Sequence, residues 1–259
     1  MNQTIMITDP KRIEEISLNA WPALQQVLYD GWILRLAKGY TKRANSVNPL
    51  YPSTLDLEKK VVYCEEFYTD RTLRPVFRLT PSSSPPDLDN FLEQRGYQVL
   101  DQTLVMVLDL ETLDLQTQRV TDISSTNIDE WMEIFYQASA ASSADHEVHK
   151  EILEAISTER YLVALQRAGA YLACGLGVLE GDFVGLFDIV TDPEVRRKGY
   201  GTQIVLAILD WAREQGAENC YLQVVQNNFP ARQLYEKIGF KELYRYWYRV
   251  QEEELSENQ

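Results

Sequence analysis

The 259-residue chain has little cysteine and less histidine: three of the first and two of the second. Cys64, Cys174 and Cys220 are odd in number, widely spaced and set among apolar neighbours. That argues against a disulfide framework or a cysteine metal cage, and the three read as reduced core residues. His146 and His149 lie three apart in a polar helix start with no third ligand in view, so they read as solvated surface residues and no metal is expected. No apolar run reaches the roughly 18 residues of a membrane span, and the start lacks the basic-then-apolar pattern of a signal peptide. A cytoplasmic location without a membrane partner is therefore expected. Positive charge is scarce too: 25 Lys and Arg stand against 39 Asp and Glu, a net charge of −14. Nucleic acid as a general partner is disfavoured, because phosphate contacts need a basic face.

What the chain does have is one stretch around which the rest is organised, residues 183–202, FVGLFDIVTDPEVRRKGYGT. A short apolar run rich in β-branched residues reads as a buried strand. It turns at Thr191-Asp192-Pro193, presents Arg196-Arg197-Lys198-Gly199-Tyr200-Gly201, and passes into a helix whose apolar face carries Ile204, Leu206, Ala207, Ile208 and Trp211. The first N–H groups of a helix have no internal partner and the dipole there is positive. Glycines let an anion approach the backbone, and three adjacent cations add to the field. The glycines are too few for a dinucleotide fingerprint, and no G-K-[ST] follows as a P-loop requires. This cradle lies in the more acidic part of the chain, since residues 116–259 carry 13 Lys and Arg against 23 Asp and Glu. Such contrast suits an anionic donor paired with a neutral or cationic second substrate, or serves solubility alone.

Taken in order, residues 13–28 read as a helix interrupted near Trp21-Pro22. Residues 31–37 read as a strand that turns at Lys38-Gly39 into a second one at 40–47. A helix over 55–68, a short strand, the Pro81–Pro86 loop, a helix ending at Gly96 and a long strand over 99–110 follow. Residues 111–118 look like a linker, dividing the chain into 1–115 and 116–259. Beyond it come helices over 128–138 and 145–157, strands over 161–166 and 171–179, and the organising strand. The long helix is followed by a strand over 220–225, a helix capped by Gly239, the last strands over 240–250 and an acidic tail. The two halves repeat. Phe91-Leu92-Glu93-Gln94-Arg95-Gly96-Tyr97 matches Leu234-Tyr235-Glu236-Lys237-Ile238-Gly239-Phe240, and Val47-Asn48-Pro49 matches Thr191-Asp192-Pro193. After Pro49 stands Leu50-Tyr51-Pro52-Ser53, with neither glycine nor cation, and Leu92 stands where the second half has Tyr235. The first half has the scaffold without the anion site.

Three features now stand in order at fixed spacing: the strand ending V-T-D-P, the R-R-K-G-Y-G turn, and N-x-x-A-x-x-L-Y-E-K-x-G-F over 228–240. On these the chain resembles the GNAT superfamily of acyl-CoA-dependent N-acyltransferases. The resemblance covers residues 118–250 as one complete domain, with residues 13–110 as a degenerate second copy. It implies an α/β fold of two tandem GNAT-like domains, each a mixed, mostly antiparallel sheet flanked by helices. The activity it implies is transfer of an acyl group, foremost acetyl, from acetyl-CoA to a primary amine without a metal. A non-catalytic acyl-CoA-binding regulatory module, or one that binds a protein, is the contrasting reading.

The resemblance also implies site residues. The pyrophosphate would rest on the turn from Arg196 and Arg197 through Lys198, Gly199, Tyr200 and Gly201 to Thr202. The pantetheine arm would pair with backbone at Ile189, Val190 and Thr191, with an N–H near Val190 facing the thioester carbonyl. Asn228 would contact the arm, or serve as a helix cap, or both. Tyr235 would protonate the leaving thiolate, the alternative being an aromatic that packs its helix on the sheet. One branch of the family places a basic glutamate where this chain has Gly185, leaving Asp188, Glu147, Glu180 or water as the base. Tyr244, Tyr246, Trp247 and Tyr248 could wall an amine pocket or fill the contact between halves. Neither the amine nor an oligomeric state can be read from these residues.

Overall fold

The computed structural model describes residues 9–113, 122–139 and 141–251. The chain forms two compact units that do not follow its linear order. The larger is built from Met1–Pro22 and Leu104–Leu243, the smaller from Ala23–Thr103 and Tyr244–Gln259. Most of the expected linker lies outside the described residues, as do the first eight residues and the tail after Gln251. The limits of the two units fall inside β5 (Tyr97–Asp109) and β11 (Lys241–Gln251).

In the smaller unit β1 (Gln25–Tyr29), β2 (Trp32–Leu36), β3 (Val47–Asn48) and β4 (Val76–Leu79) lie in that order, and β11 follows β4. β1 and β2 are an antiparallel hairpin closed at Asp30-Gly31, where both residues have positive φ. The sequence reading placed residues 25–28 in a helix and put the hairpin turn at Lys38-Gly39. β1 alternates between exposed and half-buried positions, and its conformation comes from pairing with β2. The strand expected over 40–47 is reduced to Val47 and Asn48, because Asn45 folds its loop back, donating to the carbonyls of Tyr40 and Thr41. β2 pairs antiparallel with β3, and β3 parallel with β4. α2 (Leu57–Thr69) crosses between the parallel pair and buries Lys60, Val61, Cys64, Phe67 and Tyr68. α3 (Leu88–Gln94) is held to β11 by Arg249, whose Nε donates to Asp89 at 2.7 Å.

The larger unit repeats that plan with longer elements. Its strand order is β5, β10 (Asn219–Val225), β9 (Phe183–Thr191), β8 (Ala170–Glu180), β7 (Glu159–Arg167), β6 (Ile123–Ser125). β8 pairs antiparallel with β9, and β9 parallel with β10, as β2, β3 and β4 do. α6 (Tyr200–Glu214) makes the crossover and buries Ile204, Val205, Ile208, Leu209 and Ala212. Each of the Ile, Val and Leu side chains contributes about 1.5–3 kcal/mol. They join Leu104, Met106, Leu108 and Leu110 of β5 in one core. α1 (Pro10–Ala20), α4 (Ile128–Ala138) and α5 (His146–Glu154) complete this unit with α7 (Phe229–Ile238). α3 and α7 each end at a glycine with positive φ, Gly96 and Gly239, as their matching sequences predict. Cys64, Cys174 and Cys220 are free and buried. The fold is a mixed α/β arrangement with mostly antiparallel strands flanked by helices.

Candidate active site

β9 is regular up to Phe187 and then bulges. Between the pairs Leu176↔Phe187 and Cys174↔Val190 it sets Asp188 and Ile189 opposite the single residue Gly175. Asp188 takes the left-handed conformation that this demands, φ 47°, one that aspartate tolerates better than most residues. The parallel pairing of β9 with β10 runs from Phe183↔Asn219 to Leu186↔Leu222, while the strands continue to Thr191 and Val225. Past Leu186 the two strands diverge, and the backbone of Ile189, Val190 and Thr191 borders the gap.

The turn after β9 is fixed by Asp192, which accepts from Glu194 N at 2.8 Å, and by Arg196, whose Nε donates to the Thr191 carbonyl. Gly199 caps α6 at φ 82° with no side-chain hydrogen bond, and the first turn of the helix holds no acidic residue. A Cβ on Gly199 would meet no heavy atom within 4 Å. Gly199, Tyr200, Gly201 and Thr202 all line a cleft, so the backbone that opens α6 is accessible there, the arrangement that accepts an anion. α7 approaches from the other side. Asn228 Oδ1 accepts from Ala231 N at 3.3 Å and so caps α7.

These pieces enclose a cleft of about 1050 Å³ within the larger unit. Ile189, Val190, Thr191, Arg196, Arg197, Gly199, Tyr200, Gly201, Thr202, Asn228 and Tyr235 all line it. Of the residues expected to hold acetyl-CoA, Lys198 is the one outside the lining, exposed on the turn; the candidate bases Asp188, Glu147 and Glu180 and the aromatics Tyr244, Tyr246, Trp247 and Tyr248 are outside it too. Tyr235 is 8% exposed and meets the Phe240 ring edge-on at 5.8 Å. Burial, helped by the nearby Cys220, pushes its phenol well above the usual tyrosine range, so the proton stays on at neutral pH. Phe229, 61% exposed at the cleft, was not anticipated; its only sequence signal was its place beside Asn228.

The candidate bases separate. Glu147 is exposed on α5. Glu180 is tied to the N-terminal helix, accepting from Asn19 Nδ2 at 3.0 Å and lying 3.9 Å from Arg12. At Gly185 a Cβ would come within 2.6 Å of the Tyr221 hydroxyl, so that ring fills the space a glutamate would need. Asp188 meets His149, whose Nε2 lies 2.9 Å from its Oδ2. The expectation that His149 is solvated is thus overturned: it is fully buried among the rings of Trp21, Trp131, Phe135 and Tyr136. His149, Ile152 and Leu153 share one face of α5, and that spacing was the available signal.

A strand that bulges and diverges from its parallel neighbour, then feeds an uncapped glycine turn, defines the GNAT class of acyltransferase fold. A family model described as "Probable histone acetyltransferase Rv0428c C-terminal" matches residues 8–249. A Bacillus subtilis protein described as "Uncharacterized N-acetyltransferase YobR" is 30% identical over 250 residues, covering 93% of this chain and 98% of that one. Among solved structures, a GCN5-related N-acetyltransferase from Kribbella flavida superposes with TM-score 0.72 at 14% identity, over 95% of this chain and 96% of the other. A tandem GNAT protein from the clavulanic acid biosynthesis pathway superposes with TM-score 0.59 at 13% identity, over 91% and 86%. The chain belongs to the GNAT family of N-acetyltransferases, with the Rv0428c-type acetyltransferases as its matched group. No helix among the described residues is long and apolar enough to cross a membrane.

Proposed function

We propose that the chain transfers an acetyl group from acetyl-CoA to a primary amine by direct attack of the amine on the thioester. The observation that carries this reading is the single cleft that gathers the diverging end of β9, the uncapped N-terminus of α6 and the phenol of Tyr235. The N–H groups from Arg197 to Thr202 are suited to the pyrophosphate, with Arg196 and Arg197 supplying positive charge and Lys198 a longer-range field. Past the end of its pairing with β10, the backbone of Ile189, Val190 and Thr191 lines the cleft, where it would pair with the amides of the pantetheine arm. An N–H at Val190 would stabilise the oxyanion formed as the amine adds. Asn228 fixes the start of α7 beside the arm. Tyr235, protonated at neutral pH, gives its proton to the departing sulfur.

The experiment mixes purified protein with acetyl-CoA and a panel of amines and follows release of free thiol. Amine-dependent thiol above the uncatalysed rate is the expected result. Tight CoA binding with no amine-dependent thiol from any acceptor would replace this reading with that of a non-catalytic acyl-CoA-binding module.

A further inference from the structure

The acetyl-transfer reading needs the backbone of Ile189, Val190 and Thr191 to hold one course, and those residues begin at the bulge in β9. We propose that Trp131 of α4 and His149 of α5 are positioning residues that hold this bulge and so aim the backbone at the acyl arm. The inference rests on the acetyl-transfer reading above.

The bulge must be held by its surroundings. Asp188 and Ile189 stand opposite the single residue Gly175, and Asp188 keeps a φ of 47°. Such a conformation is costly for a non-glycine residue and persists where packing and hydrogen bonds fix it. Pairing with β10 gives no support here, because it stops at Leu186↔Leu222.

Both strands at the bulge are tied to the same pair of helices. On β9, Asp188 Oδ2 lies 2.9 Å from His149 Nε2, and a carboxylate accepts, so the hydrogen belongs to the imidazole. On β8, the Gly175 carbonyl accepts from the indole Nε1 of Trp131 at 3.0 Å. The two donors brace each other. Their rings meet edge-on at 6.1 Å, and Phe135 stacks on Trp131 at 5.3 Å while standing edge-on to His149 at 4.9 Å. Trp131 and His149 are fully buried, so water does not compete for either donor.

α6 closes the site from its own side. A Cβ on Gly175 would come within 2.6 Å of Ile204, 2.7 Å of Ile189 and 3.2 Å of Ile208. The Ile189 side chain thus occupies space that only glycine leaves, while its neighbour Asp188 is turned to α5. Asp188 does not line the cleft, so its carboxylate acts through the strand and not on the substrate. A register without the bulge would shift the pairing by one residue and reverse the face that each later side chain meets. The backbone bordering the cleft would be re-aimed with it, and small misplacements of that kind are costly even when their cause lies outside the chemistry.

The test compares two ligands. CoA reaches both the glycine turn and the strand, whereas adenosine 5′-diphosphate has the pyrophosphate without the pantetheine arm and reaches the turn alone. His149→Phe keeps a ring among the aromatics and removes the donor; Trp131→Phe keeps a ring against Phe135 and removes the indole N–H. In each variant CoA affinity by calorimetry should fall about tenfold, the worth of one or two backbone hydrogen bonds, with ADP affinity unchanged. Amide hydrogen exchange over residues 186–192 should quicken, while exchange over 196–202 should not. His149→Gln, which keeps a donor toward Asp188, should recover part of both effects. Unchanged CoA affinity, equal losses for CoA and ADP, or unchanged exchange over 186–192 overturns the proposal. If His149→Phe shows no cooperative melt, Trp131→Phe decides by the same readings. Failure of the wild type to bind CoA would instead remove the reading beneath it.

Discussion

Asp30 Oδ2 accepts the backbone N–H of Leu55 at 2.9 Å, just ahead of α2. The same carboxylate takes the N–H and hydroxyl of Thr54 and lies 3.2 Å from Lys60 Nζ. The smaller unit thus binds an anion of its own chain ahead of its crossover helix, where the larger unit has an open glycine turn ahead of α6. The Lys60 ammonium, fully buried over the Trp32 ring at 4.0 Å, is neutralised by the same group. This gives a physical reason why the repeat without Arg-rich turn residues still folds.

Asp30→Asn should therefore lower the melting temperature at neutral pH while leaving CoA affinity unchanged. The Leu55 N–H first, then Thr54 and Lys60, hold the Asp30 carboxyl well below the usual carboxylate range. A depressed folded pKa contributes stability that is present above the unfolded value and is lost as pH falls toward the folded one. The deficit of the variant should thus persist through mildly acidic pH and narrow only below the ordinary aspartate range. Thermal melts of both proteins across that range check it, and a deficit that grows on acidification would refute the assignment.

Gly199→Val places a branched side chain where nothing of the protein lies within 4 Å of its Cβ. Any bulk added there meets only what enters the cleft, although the φ of 82° adds about 1–3 kcal/mol of strain. CoA affinity measured by calorimetry should drop more than about tenfold, which corresponds to 1.4 kcal/mol, while the melt stays cooperative. Unchanged affinity would move the pyrophosphate away from this turn.

Local signals carried the elements that line the cleft. The 196–201 turn, the Asn228 and Gly239 caps and the 128–138 helix are written in short-range spacing, and α4 begins and ends where that spacing puts it. What failed depended on distant partners. β1 is a strand because β2 lies beside it, and Gln25–Tyr29 carries no strong apolar alternation of its own. His149 sits in D-H-E-V-H-K-E, a polar string, and is buried only because rings from α4 and Trp21 close over it. The division of the chain into two units falls within β5 and β11, and no local pattern marks where either strand passes from one unit to the other.

That division predicts the behaviour of a truncated chain. Residues 118–259 alone lack Leu104, Met106, Leu108 and Leu110, four buried members of the larger unit's core, and Trp21, which stacks on Phe187. Each lost aliphatic side chain removes about 1.5–3 kcal/mol of burial, and together they rival the roughly 5–15 kcal/mol that keeps a domain folded. The fragment should show no cooperative melt and should bind a hydrophobic dye. A sharp transition with full activity would show that β5 is dispensable.

Tyr235→Phe tests the acid. The ring of Tyr235 is buried and packs edge-on against Phe240, and phenylalanine keeps both relations, so fold and CoA affinity should change little. Burial favours the neutral phenol, which leaves the hydroxyl protonated over the whole neutral range and able to give its proton to the sulfur. Loss of general acid catalysis should lower kcat by about 10²–10⁴-fold with KM for acetyl-CoA nearly constant. The deficit should shrink with an acetyl thioester whose thiol is more acidic, because that leaving group departs with less help. It should also be independent of which amine attacks, since the proton in question goes to the sulfur. If the variant keeps wild-type kcat while chemistry limits the rate, Tyr235 serves packing alone and the sulfur is protonated by solvent.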